Sequence, residues 1–135
     1  MNKKNDDSLI RKWYLINLEG KILGRTAVEI AHLLMGKVKP SYIRSADVGD
    51  YVVVTNAKKV RVTGAKEIDK EYIHHTGYPQ GLRKELFWEL QARKPEKIIY
   101  QAVIGMLPKN KLRARMLKRL YIYPGDKHPY ADKFK

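Results

Sequence analysis

The sequence predicts an α/β fold with a small sheet, and three observations carry that prediction. A short apolar run over 13–18, with aromatic and β-branched members, precedes a helix-period stretch from Leu23 to Met35. Tyr51 to Thr55 is apolar without alternation, the pattern of a strand covered on both faces, as in parallel sheets. Strand, helix, strand is a crossover unit, and the second half of the chain continues with helical stripes before a last short apolar run.

Taken in order, residues 1–12 are polar and aperiodic and read as a loose arm. Trp13 to Leu18 is the first strand, turned by Glu19 and Gly20. Leu23, Ala27, Ile30, Ala31 and Leu34 make one helical face; Thr26 with Glu29 matches a capping box, and Gly36 supplies the stop. Residues 37–50 form a polar, basic connector carrying Lys37, Lys39, Pro40 and Arg44, long enough to suggest a functional loop. After the strand at 51–55, Val60 to Thr63 fits either a short strand or a turn beside a helix. Tyr72 to His75 is extended before Gly77, Pro79 and Gly81. Leu82 to Ala92 is expected to be helical, with Leu86 and Leu90 inward. Pro95 opens a helix whose stripe of Ile98, Ile99, Ala102, Val103 and Met106 ends at Pro108. Asn110 is placed to cap a basic helix starting near Lys111, and Leu120 to Tyr123 is the last strand before an extended tail, 124–135.

At 135 residues the chain fits one domain, 1–135, with 44% hydrophobic residues to build a core. Lys and Arg number 28 against 14 Asp and Glu, a net charge of +14. Solubility alone is served by a net charge of about 2 to 8, so the excess calls for an anionic partner. No apolar run approaches the roughly 18 residues of a membrane span, and the first dozen residues hold no signal-peptide core, so a cytoplasmic location is expected. The absence of cysteine removes disulfides and thiolate metal sites.

The strongest candidate site is 106–120. From Lys109 to Arg119 there are six basic side chains and no acidic one. Like charges one turn apart cost a few tenths of a kcal/mol each on a free helix, whereas a polyanion reverses the sign of that cost. At about 100° per residue, Lys111, Arg115, Lys118 and Arg119 share one arc, with Leu112, Met116, Leu117 and Leu120 largely in another and Arg113 on the apolar side. Further candidates are Lys37, Lys39 and Arg44 in the connector. Arg25 at a helix start is either a phosphate ligand or an exposed helix-end arginine. His75, beside a Gly-Tyr-Pro turn, is either an RNA contact or a structural hydrogen bonder. Of nine tyrosines, several, namely Tyr42, Tyr78, Tyr121, Tyr123 and Tyr130, stand near basic or turn residues, as partly unstacked RNA requires, and about half of these rings are expected to belong to the core.

Catalytic and metal chemistry are poorly supplied. His74 and His75 are adjacent and point to opposite faces of a strand, while His32 and His128 lie elsewhere, so no metal is expected. Gly20 and Gly24 lack the third glycine of a dinucleotide loop. Asp47 and Asp50 are expected to be turn or cap residues that offset Lys and Arg.

The chain resembles bacterial large-subunit ribosomal protein thirteen as a family. The resemblance is carried in order by Trp13-Tyr14, Leu23-Gly24-Arg25, Gly36-Lys37, Gly49-Asp50-Tyr51-Val52-Val53-Val54, Val62-Thr63-Gly64, His75-Thr76-Gly77-Tyr78-Pro79, and Gly105 through Leu112. It continues with Met116-Leu117-Lys118, Tyr123, Gly125, His128 and Pro129, and so spans nearly the whole chain. The sequence departs from the family pattern at Asn17, Thr26, Arg44, Gln80, Arg113 and Tyr130, mostly toward polarity or charge. The resemblance implies a three-layer α/β/α fold around a small, mostly parallel four-stranded sheet with basic helical and loop extensions. It implies a non-enzymatic constituent of the large (50S) subunit that binds 23S rRNA early in assembly, beside neighbouring large-subunit proteins. Messenger RNA binding with translational control is implied only as a secondary role; no cofactor, membrane or small-molecule substrate is implied. The rRNA-binding residues would be Arg25, Lys37, Lys39, Arg44, His75, Tyr78, Lys109, Asn110, Lys111, Arg113, Arg115, Lys118, Arg119 and His128. The competing readings are an RNA-modifying enzyme, and a DNA-binding regulator using the basic helix.

Overall fold

The structure, a computed structural model, describes residues 11–40, 42, 45–62, 71–75 and 82–134. Three strands make a parallel sheet: β1 (Trp13–Asn17), β2 (Tyr51–Thr55) and β5 (Leu120–Ile122), in the order β1-β2-β5. The central strand, β2, has Val52, Val53 and Val54 all fully buried, which is why its apolar run shows no alternation. Two further strands, β3 (Glu71–His75) and β4 (Leu82–Leu86), form a separate antiparallel pair.

Alternation sorts the sheet into two unlike faces. Ile16, Val52 and Val54, with Leu120 and Ile122, pack into one apolar cluster with the helices. These are α1 (Leu23–Met35), α2 (Phe87–Arg93), α3 (Pro95–Met106) and α4 (Leu112–Leu117), which contribute Ile30, Leu34, Phe87, Leu90, Ile99, Val103 and Met116 among others. The opposite face carries rings. Trp13 stacks on Tyr51 at 4.3 Å, and Tyr130 from the tail lies 5.2 Å from Trp13 and 4.6 Å from Tyr121. A 3-10 turn, Ala131–Phe134, packs beside β1, with Lys133 Nζ 5.6 Å from the Trp13 ring centroid. Among the described residues this face is therefore covered by an aromatic layer and the tail, where the resemblance implied a third, helical layer.

The tail is consequently not simply extended. Gly125 and Tyr123 carbonyls accept from the Asn56 and Ala57 N–H groups, tying it to the end of β2. Replacing Tyr130 by Ala removes a ring from this layer and should cost about 1–3 kcal/mol. The expected signature in urea titration is a red shift of Trp13 emission at lower denaturant, against Trp88, which is already 55% exposed. The arm, too, is partly held: Arg11 donates to the Gly49 carbonyl, and the Lys12 N–H donates to Asp50 Oδ1 at 2.9 Å.

Helix α1 keeps the expected bounds, but its start works differently. Ile22 is the cap residue and makes no side-chain capping bond; Thr26 is buried a turn inside, its hydroxyl donating to the Ile22 carbonyl at 2.9 Å. The Leu23 N–H, one of the donors at the helix start that have no partner within the helix, is taken by the Arg61 carbonyl at 2.7 Å, in a parallel bridge between Ile22 and Arg61. Of the two readings of Val60–Thr63, the described part shows some of each: Val60 caps the 3-10 turn Ala57–Lys59, and Arg61 makes a single bridge rather than a strand. Gly36 ends α1 in the left-handed region, φ +80°, with its N–H on the His32 carbonyl.

Residues 82–86, expected as helix, are strand β4. Leu82 and Leu86 are four apart, a spacing that satisfies a helix face and a strand face alike, and pairing with β3 decides between them. Phe87 then opens α2, with the Glu89 carboxylate accepting the Leu86 N–H at 3.3 Å.

Candidate nucleic-acid interface

Pro108 stops α3 at Met106, and the chain turns through Lys109 and Asn110 into α4. The Asn110 side-chain oxygen accepts the Leu112 N–H at 3.0 Å, as a capping group would, but the short helix runs from Leu112 with Lys111 as its cap residue, one position later than expected. Met116 buries against α1, and this fixes the rotation of α4. Lys109, Asn110, Lys111, Arg115 and Lys118 are then exposed and Arg113 partly so.

The connector meets this segment. Met35, Lys37 and Tyr42 line one cavity, of about 400 Å³, together with Met106, Leu107 and Pro108. Lys37, itself exposed, thus stands beside the entry to α4. Through this cavity Lys37 neighbours residues 106–108, which lead into the 109–118 run.

Two expected RNA ligands point the other way. Arg119 is 6% exposed and spends its guanidinium on the protein. Its two terminal nitrogens meet the Asp47 carboxylate at 2.6 and 2.7 Å, one of them also reaching the Leu34 carbonyl at 2.9 Å. Lys39 Nζ sits 2.7 Å from the fully buried Asp50 carboxylate and 2.8 Å from the Val48 carbonyl. On the α4 wheel Arg119 falls only about 20° from Leu112, at the border of the apolar arc, so a buried anion suffices to draw it in. Asp47 and Asp50 offset Lys and Arg as expected, but as internal acceptors, partly and fully buried respectively, rather than as turn caps. Burial pushes the Asp47 pKa up, yet the Arg119 hydrogen bonds and charge, the Arg11 charge and the Gly49 N–H together hold it below its usual value.

The other candidates are dispersed. Arg25 is exposed in the first turn of α1, beside a shallow cavity that Glu29 also lines, at the far end of that helix from Lys37. His128 is half-buried, its Nδ1 accepting the Tyr130 N–H at 3.2 Å and its ring edge-on to Phe134. His75 belongs to β3 by its backbone; its side chain, with Arg44 and Tyr78, lies outside the described residues. Arg11 was missed by sequence reasoning, because nothing local distinguishes it from other arm cations. Among the described residues no group of three or more His, Asp or Glu could hold a metal, and no helix is long and apolar enough to cross a membrane.

Comparison with known proteins agrees with this geometry. The family model described as Ribosomal protein L13 matches residues 11–129. The chain is 55% identical over 121 residues to the large ribosomal subunit protein uL13 of Rubrobacter xylanophilus, covering 90% of this chain and 85% of the relative. It is 51% identical over 124 residues to the Geobacter sulfurreducens protein of the same name, covering 92% and 87%, and 53% identical over 127 residues to that of Teredinibacter turnerae, covering 94% and 89%. With a continuous match from Arg11 to Pro129 and half the residues identical to such relatives, the chain belongs to the ribosomal protein L13 family.

Proposed function

We propose that the protein is built into the large ribosomal subunit in the cytoplasm, where it binds 23S rRNA directly and joins early in assembly, beside neighbouring large-subunit proteins. What supports this reading is the set of exposed cations Lys109, Lys111, Arg115 and Lys118, with Lys37 beside the approach to α4 and Arg113 partly exposed, held on a packed α/β body. Phosphates supply most of the binding, since each one neutralised releases condensed counterions. The family is one of structural ribosomal proteins, not of enzymes. A major-groove regulator is disfavoured by α4 itself, which runs only from Leu112 to Leu117. At about 1.5 Å per residue it is too short to lie along a groove.

Replacing Lys111, Arg115 and Lys118 together by Ala tests the reading. Binding to large-subunit rRNA should weaken, and the slope of log K against log salt should flatten by about 2 to 3, at roughly 0.7–0.9 per phosphate contact. Arg119 is left intact because its removal would perturb folding. An unchanged slope would exclude this face as the phosphate-binding surface.

A further inference from the structure

The connector contains the acids that the exposed surface lacks. Asp50 is 0% exposed, and one carboxylate oxygen receives both Lys39 Nζ at 2.7 Å and the Lys12 N–H at 2.9 Å. Its backbone is equally committed: the N–H donates to the Leu33 carbonyl at 3.0 Å, and the carbonyl accepts Arg119 Nε at 3.3 Å. Asp47 clasps the Arg119 guanidinium from one side while the Leu34 carbonyl takes it from the other, and Arg11 stands 3.7 Å from the same carboxylate. Four pieces of chain therefore meet in one place: the arm at 11–12, the last turn of α1, the connector, and the junction between α4 and β5.

Such a cluster is an expensive way to gain stability. Buried ion pairs often do no better than apolar residues of the same volume, because desolvation offsets their attraction. What they supply is geometry: a bidentate arginine and a carboxylate hold one mutual orientation. Here that orientation joins the two elements that carry the exposed cations. Lys37 lies at one end of the connector, with Asp47 and Asp50 at the other. Arg115 lies one turn before Arg119, whose side chain also reaches the Arg115 carbonyl at 3.4 Å. Without internal carboxylates, the cations of both elements would repel one another across this contact.

We infer that Asp47, Asp50, Lys39 and Arg119 are positioning residues, an internal ionic clamp that sets the spacing between the Lys37 edge and the α4 cations before RNA arrives. Lys39 and Arg119 then act through the elements they hold and touch no phosphate. The inference rests on the RNA-binding reading above, and it predicts preorganisation: loosening the clamp lowers affinity by the fraction of molecules still in the competent arrangement.

Two full-length variants test it, Asp47→Asn, which keeps the shape and removes the charge, and Lys39→Met. Each is compared with the unaltered chain by circular dichroism, by amide hydrogen exchange without RNA, and by salt-dependent binding to 23S rRNA. Asp47→Asn should speed exchange in the connector and in 112–117 together, and each variant should bind roughly tenfold more weakly with the salt slope unchanged. A slope flattened by about 0.7–0.9 in Lys39→Met would make Lys39 a phosphate ligand and overturn its assignment. Faster exchange confined to one of the two elements in Asp47→Asn, or undiminished affinity in both variants, would overturn the clamp. Were the unaltered chain not to bind the RNA, the RNA reading would fail, and the exchange measurement would still decide whether the two elements are coupled.

Discussion

Replacing Arg119 by Met should lower the free energy of unfolding by about 3–5 kcal/mol, the range for breaking a buried pair from one side. The loss is large because the methionine leaves Asp47 without its bidentate partner and strips the Leu34 and Asp50 carbonyls of a donor, in a site where Arg119 itself is 6% exposed. Urea denaturation followed by circular dichroism measures it; a loss below about 1 kcal/mol, typical of surface pairs, would mean that solvent reaches the site. The same pair sets an acid limit. The Asp47 pKa is depressed in the folded state from its ordinary 3.8, so its contribution is complete above that value and is lost as pH falls through the lower folded value. Stability of the unaltered protein should therefore decline below about pH 4, and the Arg119→Met variant should decline less steeply there.

Gly49→Ala is expected to prevent the native fold or to cost more than about 4 kcal/mol, the exceptional end of point substitutions. A Cβ on Gly49 would lie 1.6 Å from the Leu34 carbonyl oxygen and 2.5 Å from its carbon, a collision with backbone that no rotamer relieves. Moving the connector away would break the Asp50 N–H to Leu33 bond and open the Arg119 site next to it. Gly24→Ala is the control: its Cβ meets nothing within 4 Å in helix α1, so it should stabilise by about 0.5–1 kcal/mol. Comparable denaturation midpoints for the two variants would refute the close approach at Gly49.

Sequence reasoning succeeded where one local pattern had one outcome. The C-terminal end of helix α1 was legible because a 3.6-residue stripe that begins at Leu23 stops at a glycine that must adopt positive φ. Strand β2 was recognised because a short run of three β-branched valines without alternation suits a strand buried on both sides, while Pro95 marked a helix start through its fixed backbone and Asn110 through its side-chain oxygen. It failed where the deciding partner was distant. Arg61 replaces the cap expected from Thr26, β3 turns 82–86 into strand, and Asp47, 72 positions away, converts Arg119 from a surface cation into a core one. The aromatic layer escaped for the same reason: Trp13, Tyr51, Tyr121 and Tyr130 are spread along the chain and meet only when parallel register brings them to one side. The cationic run 109–118 was legible because its message is compositional and needs no partner from elsewhere in the chain.

The position of β5 in the sheet also bears on how this chain is made. Leu120–Ile122 is the last strand to be synthesised, yet it seats directly against the central one. A nascent chain that ends before Arg119 therefore leaves one edge of β2 without a neighbour and Asp47 without its guanidinium, exposing hydrogen-bonding groups that invite misassociation. Closure of the body therefore requires residues 119–122, because a copy that stops short of them lacks both the third strand of the sheet and the guanidinium that Asp47 holds.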